Sequence, residues 1–403
     1  MTTYEAKSYS RSREALKAGN LDISQNGKYT IARKQLNGAT PGACYGLGVI
    51  ALTLYPYFFG NQALAVVRRE ASSMEKRERF KILITDTIPL LTGMVDQANK
   101  KFPELVSKID WILVDRGDEQ ELMEKVPGVD ILVGARNRMT RQVIEKADKA
   151  FFIQQCSAGY DNIDLQAARE KGIKVSNAGG AGVIPVAEHT IMLMLAISKN
   201  LTKSDRTMKA GEWIFGECMG RVYELRDKML GIVGLGKIGA QVARLADAFG
   251  MKLQYFDPYR ADARDLNLPI NKVSLEELLK TSDFVNIHAL LTPETRGLIG
   301  RKELEMMKET AYLINTSRGA IVDEEALAEI LERKRIRGAG IDVYGEHGDP
   351  PDKSSKLLKQ DNAVLTPHIG GVTAEDIYRN FYETSLGNIM DVVKGEEPKY
   401  VVN

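Results

Sequence analysis

The stretch Gly231-Ile232-Val233-Gly234-Leu235-Gly236-Lys237-Ile238-Gly239 limits what this chain can fold into more than any other part of it. It sets a G-x-G-x-x-G directly after an apolar strand and at the mouth of an amphipathic helix over residues 237–249. Gly234 permits the tight turn, Gly236 lets the backbone approach a pyrophosphate, and Gly239 lets the helix pack closely on the strand, so that the helix N-terminus faces the anion. A second strand over residues 253–257 ends in Asp257, 23 residues beyond Gly234. Its carboxylate can accept both ribose hydroxyls of a dinucleotide and would repel a 2′-phosphate. NAD is therefore the expected cofactor, and NADP the lesser choice, for which Arg260 three residues on leaves some room. Lys237 and Ile238 are counted with the glycines as lining the cofactor turn. Lys237 is not a Walker lysine, because Ile238 stands where a phosphate loop needs Ser or Thr, and ATP is disfavoured.

Around this motif the chain alternates short apolar runs with amphipathic stretches, which predicts parallel sheets covered by helices. Strands are expected at 81–85, 111–114, 131–133, 151–155 and 173–176, forming a flavodoxin-like first set, and a helical pattern covers 162–171. A long helix over 186–198 leads through Trp213 to a second set at 229–234, 252–257, 284–288, 311–315, 338–344 and 363–366, a doubly wound Rossmann sheet. The final helical pattern, 374–394, is expected to cross back onto the first set. The predicted organisation is an N-terminal extension over 1–79, a substrate-binding domain over 80–180 completed by 373–403, and a cofactor domain over 181–372, joined by a hinge because no Pro/Gly/Ser linker separates them.

Lys plus Arg is 55 against Asp plus Glu at 54, a formal charge of +1, so nothing in the global field asks for nucleic acid or an anionic membrane. Small molecules and further copies of the chain are the expected partners. Cys44, Cys156 and Cys218 are odd in number and far apart, fitting neither a disulfide framework nor a metal ligand set, and read as thiols of a reducing cytoplasm. The extension carries no charge between Lys34 and Arg68. Its apolar run over 49–67 has the length of a membrane span, but Pro56, Gly60, Asn61 and Gln62 interrupt it, which favours a loosely ordered extension. Met74, just before the first strand, is a candidate functional start.

Ligands of open α/β sheets lie beyond the carboxyl ends of the strands. Three ends carry chemistry: Thr316-Ser317-Arg318-Gly319, then Asp342, then Pro367-His368-Ile369-Gly370-Gly371. Of the four histidines, His189 falls inside the long helix and reads as structural, His288 ends a strand and borders the adenine side, and His347 lies in an irregular loop. His368 stands at a strand end before two glycines that admit a ligand close to the backbone, and an imidazole there can pass the proton that accompanies hydride transfer to a carbonyl. Arg318 supplies a planar fork for a carboxylate beside that carbonyl, and polarises the carbonyl toward attack.

These residues resemble the D-isomer-specific 2-hydroxyacid dehydrogenase family from about residue 81 to 403. The resemblance rests on Gly234 to Gly239, Ser157-Ala-Gly159-Tyr-Asp-Asn-Ile-Asp164, Val186-Ala-Glu-His189, His288 with Leu291-Thr-Pro-Glu-Thr295, Asn315 to Gly319, Ile341-Asp342-Val343, Thr366-Pro-His368 and Val401-Val-Asn403. It implies hydride transfer at C2 of a small D-2-hydroxy acid. It also implies that backbone amides near Gly134 and Gly159 meet the substrate carboxylate, that Thr316, Asp342 and Gly370 line the nicotinamide side with Ser317, Gly371, His288 and Thr295 in the same cofactor site, and that the chain forms a homodimer through its crossover-helix region. The family expects a glutamate five residues after Asp342 to partner the histidine, and His347 occupies that position. Either Glu346 or Asp349 is then the partner: Asp349 keeps the downstream spacing, whereas Glu346 keeps the residue type and the longer reach. Arg136 and Arg138, after Gly134, are placed to meet a substrate phosphate or to be solvated surface charge. Two other functions share the scaffold. One is a cofactor-sensing, co-repressor-like binding protein, which would bind NADH without turnover; the other is formate or phosphite oxidation, disfavoured by the acid-rich loop after Asp342.

Overall fold

A computed structural model describes residues 79–345 and 350–403, together with the backbone of three short strands nearer the N-terminus. Those strands, β1 (Thr3–Glu5), β2 (Asp22–Ile23) and β3 (Lys28–Thr30), form an antiparallel sheet in the order β1-β3-β2. They belong to a unit over residues 1–76, separate from the unit over 77–403 that holds everything below. The apolar run over 49–67 lies outside the described residues, and among the described residues no helix is long and apolar enough to cross a membrane.

The larger unit contains two parallel sheets. The first comprises β4 (Phe80–Ile84), β5 (Ile109–Leu113), β6 (Ile131–Gly134), β7 (Phe152–Gln155) and β8 (Lys174–Ser176), in the order β5-β4-β6-β7-β8. This is the flavodoxin-like layer expected from the sequence. The second has seven strands, β9 (Met229–Val233), β10 (Lys252–Phe256), β11 (Ile270–Lys272), β12 (Phe284–Ile287), β13 (Tyr312–Asn315), β14 (Gly338–Ile341) and β15 (Ala363–Leu365), in the order β11-β10-β9-β12-β13-β14-β15. Strands β6, β7, β12, β13 and β14 are buried at every position, as strands covered on both faces must be. Strand β11 was not expected; it is a short edge strand with Asn271 and Lys272 exposed, and so carries no apolar signal.

The crossover helix runs over Val183–Ser198, three residues longer at its start than its periodicity suggests. It lies tightly on the second sheet because glycines face it: a Cβ on Gly340 would sit 3.0 Å from Leu193, and one on Gly338 would sit 3.2 Å from Ile197. Burying Leu193 and Met194 there stabilises the fold by roughly 1.5–3 kcal/mol each. The C-terminal helix does return to the first sheet, where Leu386, Ile389 and Met390 join the core with Ile82, Ile84 and Phe152. Its middle differs from the expected α-helix. Residues Tyr378–Ser385 are wound as a π-helix between Ala374–Ile377 and Leu386–Val393. Polar groups are buried here: at the end of the π-helical stretch Ser385 Oγ donates to the Asn380 carbonyl at 2.7 Å, and in the α-helix that follows Asn388 Nδ2 donates to Gln154 Oε1 on β7 at 3.1 Å. Apolar spacing alone does not distinguish this winding from an α-helix.

Candidate active site

Strand order reverses between β4 and β6 in the first sheet and between β9 and β12 in the second, and a crevice opens beyond the carboxyl end at each such reversal. At the second, Gly234 has φ +92°, and a Cβ there would lie 2.6 Å from the Ala289 nitrogen, so only glycine makes this turn. A Cβ on Gly239 would overlap the Gly234 carbonyl at 2.3 Å, whereas Gly236 meets no described atom within 4 Å. The helix Lys237–Ala248 starts at Gly236 without a side-chain cap, which leaves first-turn amides for a phosphate. Ile238 packs its side chain against the core, so its contribution is confined to its backbone, and Lys237 is exposed. Asp257 is fixed at the mouth of this turn: its carboxylate accepts from the amides of Leu235 at 2.9 Å, Tyr259 at 2.9 Å and Arg260 at 3.2 Å. The Arg260 guanidinium is tied down by the Leu235 carbonyl at 2.7 Å and by an ion pair with Asp265.

His288 follows β12 and backs the glycine turn, since a Cβ on Gly234 would also touch its carbonyl carbon at 2.8 Å. Its Nε2 is buried with no hydrogen-bond partner among the described residues, and burial pushes the imidazole down to about 4, so it is neutral at physiological pH. Thr295 closes its own loop, with Oγ1 donating to the Leu290 carbonyl at 2.6 Å and accepting from the Thr292 amide at 2.8 Å. Thr316 is buried against Thr190 of the crossover helix, 2.9 Å between hydroxyls, and the Ser317 hydroxyl donates to the Ala289 carbonyl.

Arg318 leaves β13 and is held from the other sheet. Its Nε donates to both oxygens of Asp161, at 2.9 and 3.1 Å, and its Nη1 to the Ser317 carbonyl at 2.9 Å. Its Nη2 lies where a Cβ on Gly159 would be, 1.7 Å away, so any larger residue at 159 would expel the guanidinium. The Gly159 amide has no acceptor among the described residues, and Gln155 Nε2 steadies this loop through the Gly159 carbonyl at 2.9 Å and Asn162 Oδ1 at 3.0 Å. Gly134 is equally required, because a Cβ there would meet Thr85 Oγ1 at 2.4 Å. The amides just after it are organised by buried Asp86, which accepts from Ala135 at 2.8 Å and Asn137 at 3.0 Å. Arg136 and Arg138 are exposed on the same loop.

His368 leaves β15, two strands from Arg318, so the two backbones emerge about 10 Å apart on one edge of the sheet. Its φ of +56° is left-handed, a conformation that costs a non-glycine residue roughly 1–3 kcal/mol and persists only when the surroundings impose it. Asp342, after β14, does so: Oδ1 accepts from Thr366 Oγ1 at 2.6 Å and the Ile369 amide at 3.0 Å, and Oδ2 accepts from the Gly370 amide at 2.9 Å. Burial pushes the Asp342 carboxyl up, but the hydrogen bonds from His189, Thr366, Gly370 and Ile369 outweigh it and hold the group below its ordinary value, ionised. A Cβ on Gly370 would press on Asp342 Oδ2 at 3.0 Å, while Gly371 borders Val186 and Gly182. Glu346, His347 and Asp349 lie outside the described residues. Sequence reasoning missed Asp86, Asp161, Gln155 and the place of His189 in this cluster; an acid at the carboxyl end of β4 was the one available signal, for Asp86.

The chain is similar to proteins already known. A family model described as D-isomer specific 2-hydroxyacid dehydrogenase, NAD binding domain, matches residues 191–370. D-3-phosphoglycerate dehydrogenase of Methanocaldococcus jannaschii is 39% identical over 326 residues, 80% of this chain, which spans 59% of that relative's length. Glyoxylate reductase of Thermococcus litoralis is 40% identical over 288 residues, 70% of this chain and 86% of the relative. The solved apo-structure of D-lactate dehydrogenase from Escherichia coli matches with TM-score 0.66 and 26% identity, covering 80% of this chain and 99% of that one.

Proposed function

Because the chain belongs to the D-isomer specific 2-hydroxyacid dehydrogenase family, nicotinamide-dependent oxidoreductases of small hydroxy and oxo acids, we propose that it transfers a hydride reversibly between NAD and C2 of a small D-2-hydroxy acid. His368 is the proton shuttle, and Arg318 binds the carboxylate and polarises the carbonyl of the 2-oxo acid. The observation that carries this reading is the guanidinium of Arg318, reaching from the seven-stranded sheet and laid on Gly159 of the five-stranded one by Asp161. Nη2 beside the unengaged Gly159 amide makes a receptor for a carboxylate. Residues 80–180 with 373–403 form the substrate lobe and 181–372 the cofactor lobe, in which Gly234, Gly236, Gly239 and the uncapped helix start hold the pyrophosphate and Asp257 the ribose. In the reductive direction the nicotinamide would supply the hydride, His368 the proton and Arg318 the positive charge; in the oxidative direction the hydride and the proton would return to the nicotinamide and to His368. Asp257 favours NAD over NADP, since its anchored carboxylate meets a 2′-phosphate with like charge. Glu346 or Asp349 completes the partnership with His368, and Arg136 and Arg138 favour acceptance of a phosphorylated 2-oxo acid.

Purified protein is expected to oxidise NADH with members of a panel of glyoxylate, hydroxypyruvate, pyruvate and 3-phosphohydroxypyruvate, and to do so faster than NADPH. Cofactor binding without turnover of any 2-oxo acid would sink the enzyme reading in favour of a sensor. A homodimer is the accompanying proposal. Trp213, Phe215 and Met219 are 60–76% exposed beyond the crossover helix. An apolar groove of about 670 Å³, lined by Ile191, Met192, Leu195, Leu245 and Phe249, adjoins that helix. Sedimentation equilibrium should return twice the chain mass, and a monomer at micromolar concentration would refute it. Free Cys156 and Cys218 are in keeping with a reducing, cytoplasmic setting.

A further inference from the structure

We propose that His189 is a positioning residue for proton transfer at His368, acting through Thr366 and Asp342. This rests on the assignment of His368 as the proton shuttle. The turn bearing His368 is left-handed, and groups on both sides of it converge on one carboxylate: the Thr366 hydroxyl before it and the Ile369 and Gly370 amides after it all donate to Asp342. The orientation of that carboxylate therefore fixes the backbone turn that presents His368. His189 lies on the crossover helix, its side chain 9% exposed, with Nε2 2.9 Å from Thr366 Oγ1 and 3.3 Å from Asp342 Oδ1. The hydroxyl of Thr366 has a single proton, and the 2.6 Å contact commits it to Asp342. Nε2 must then be the donor to Thr366, so that nitrogen carries a hydrogen. The packing is close, because a Cβ at Gly370 would press on the His189 ring at 3.3 Å and on Asp342 at 3.0 Å. Within this cluster His189 is the only described side chain that reaches Thr366 and Asp342 from the crossover helix. It ties the helix linking the two sheets to the turn that presents the shuttle.

The test compares His189→Leu, His189→Gln and Thr366→Val with the unmodified protein, each in the reduction of the best 2-oxo acid in water and in deuterium oxide. His189→Leu and Thr366→Val are expected to lower kcat by roughly 10- to 100-fold, the cost of misplacing a catalytic group by about 1 Å. They should also raise the solvent deuterium isotope effect on kcat, as proton transfer becomes slower relative to the other steps. His189→Gln, whose amide N–H can still donate to Thr366, is expected to recover most of the rate and the original isotope effect. If His189→Leu does not fold, Thr366→Val and His189→Gln read the same link. An unchanged kcat in Thr366→Val, a loss of rate with no change in isotope effect, or a glutamine variant no better than leucine overturns the proposal. A fully active His368→Gln enzyme would instead overturn the underlying assignment of His368, so the two failures are distinct.

Discussion

Replacing Arg318 by lysine is expected to lower kcat/KM for a 2-oxo acid by roughly 10³-fold, while NADH binding, followed by fluorescence, stays within about threefold. Charge alone does not explain the arginine, because lysine would keep it. The guanidinium is used on three sides: Nε on Asp161, Nη1 on the Ser317 carbonyl, and Nη2 beside Gly159. An ammonium can neither hold that fixed fork nor present two parallel donors to a carboxylate. The loss should fall on both KM and kcat, since the same fork binds the carboxylate and stabilises charge growing on the carbonyl oxygen. A lysine variant within about threefold of the unmodified enzyme in kcat/KM would remove Arg318 from the site.

His368→Gln is expected to lower kcat by about 10³-fold with little change in KM for the oxo acid. Glutamine can occupy a left-handed turn and donate a hydrogen bond, but it cannot give up a proton to the developing alkoxide. A glutamine variant within about threefold of the unmodified enzyme in kcat would assign the proton to another group, with Glu346 and Asp349 the first to examine.

What could be read before the fold was known divides along a physical line. The glycine turn, Asp257, Arg318, His368 and Asp342 are each announced by neighbours in the chain: a strand ends, and a glycine or a charged residue follows at once. Their order then follows from the rule that such ends gather on one side of a parallel sheet. Asp161 and His189 have no such local mark, and Asp86, although it follows a strand end, shows nothing of its partners in its neighbours. Their roles come from partners 157, 177 and 49 residues away, namely Arg318, Thr366 and the Ala135 amide. His189 was read as a structural residue of an apolar helix, which is how one buried polar side chain in that setting looks until its neighbour is known. Strand β11 and the π-helical stretch were missed for a related reason, since one is too exposed and the other too similar in spacing to leave a pattern in the apolar residues.

The grip of Asp161 on Arg318 spans two separate sheets. The anion receptor proposed above is thus owned jointly, and neither lobe carries it alone. Under the proposed function, recognition of an acid would favour the joined arrangement of the lobes and so be coupled to the exclusion of bulk solvent. On that reading, molecules lacking a carboxylate would be disfavoured by their failure to span the two lobes as well as by their poor fit.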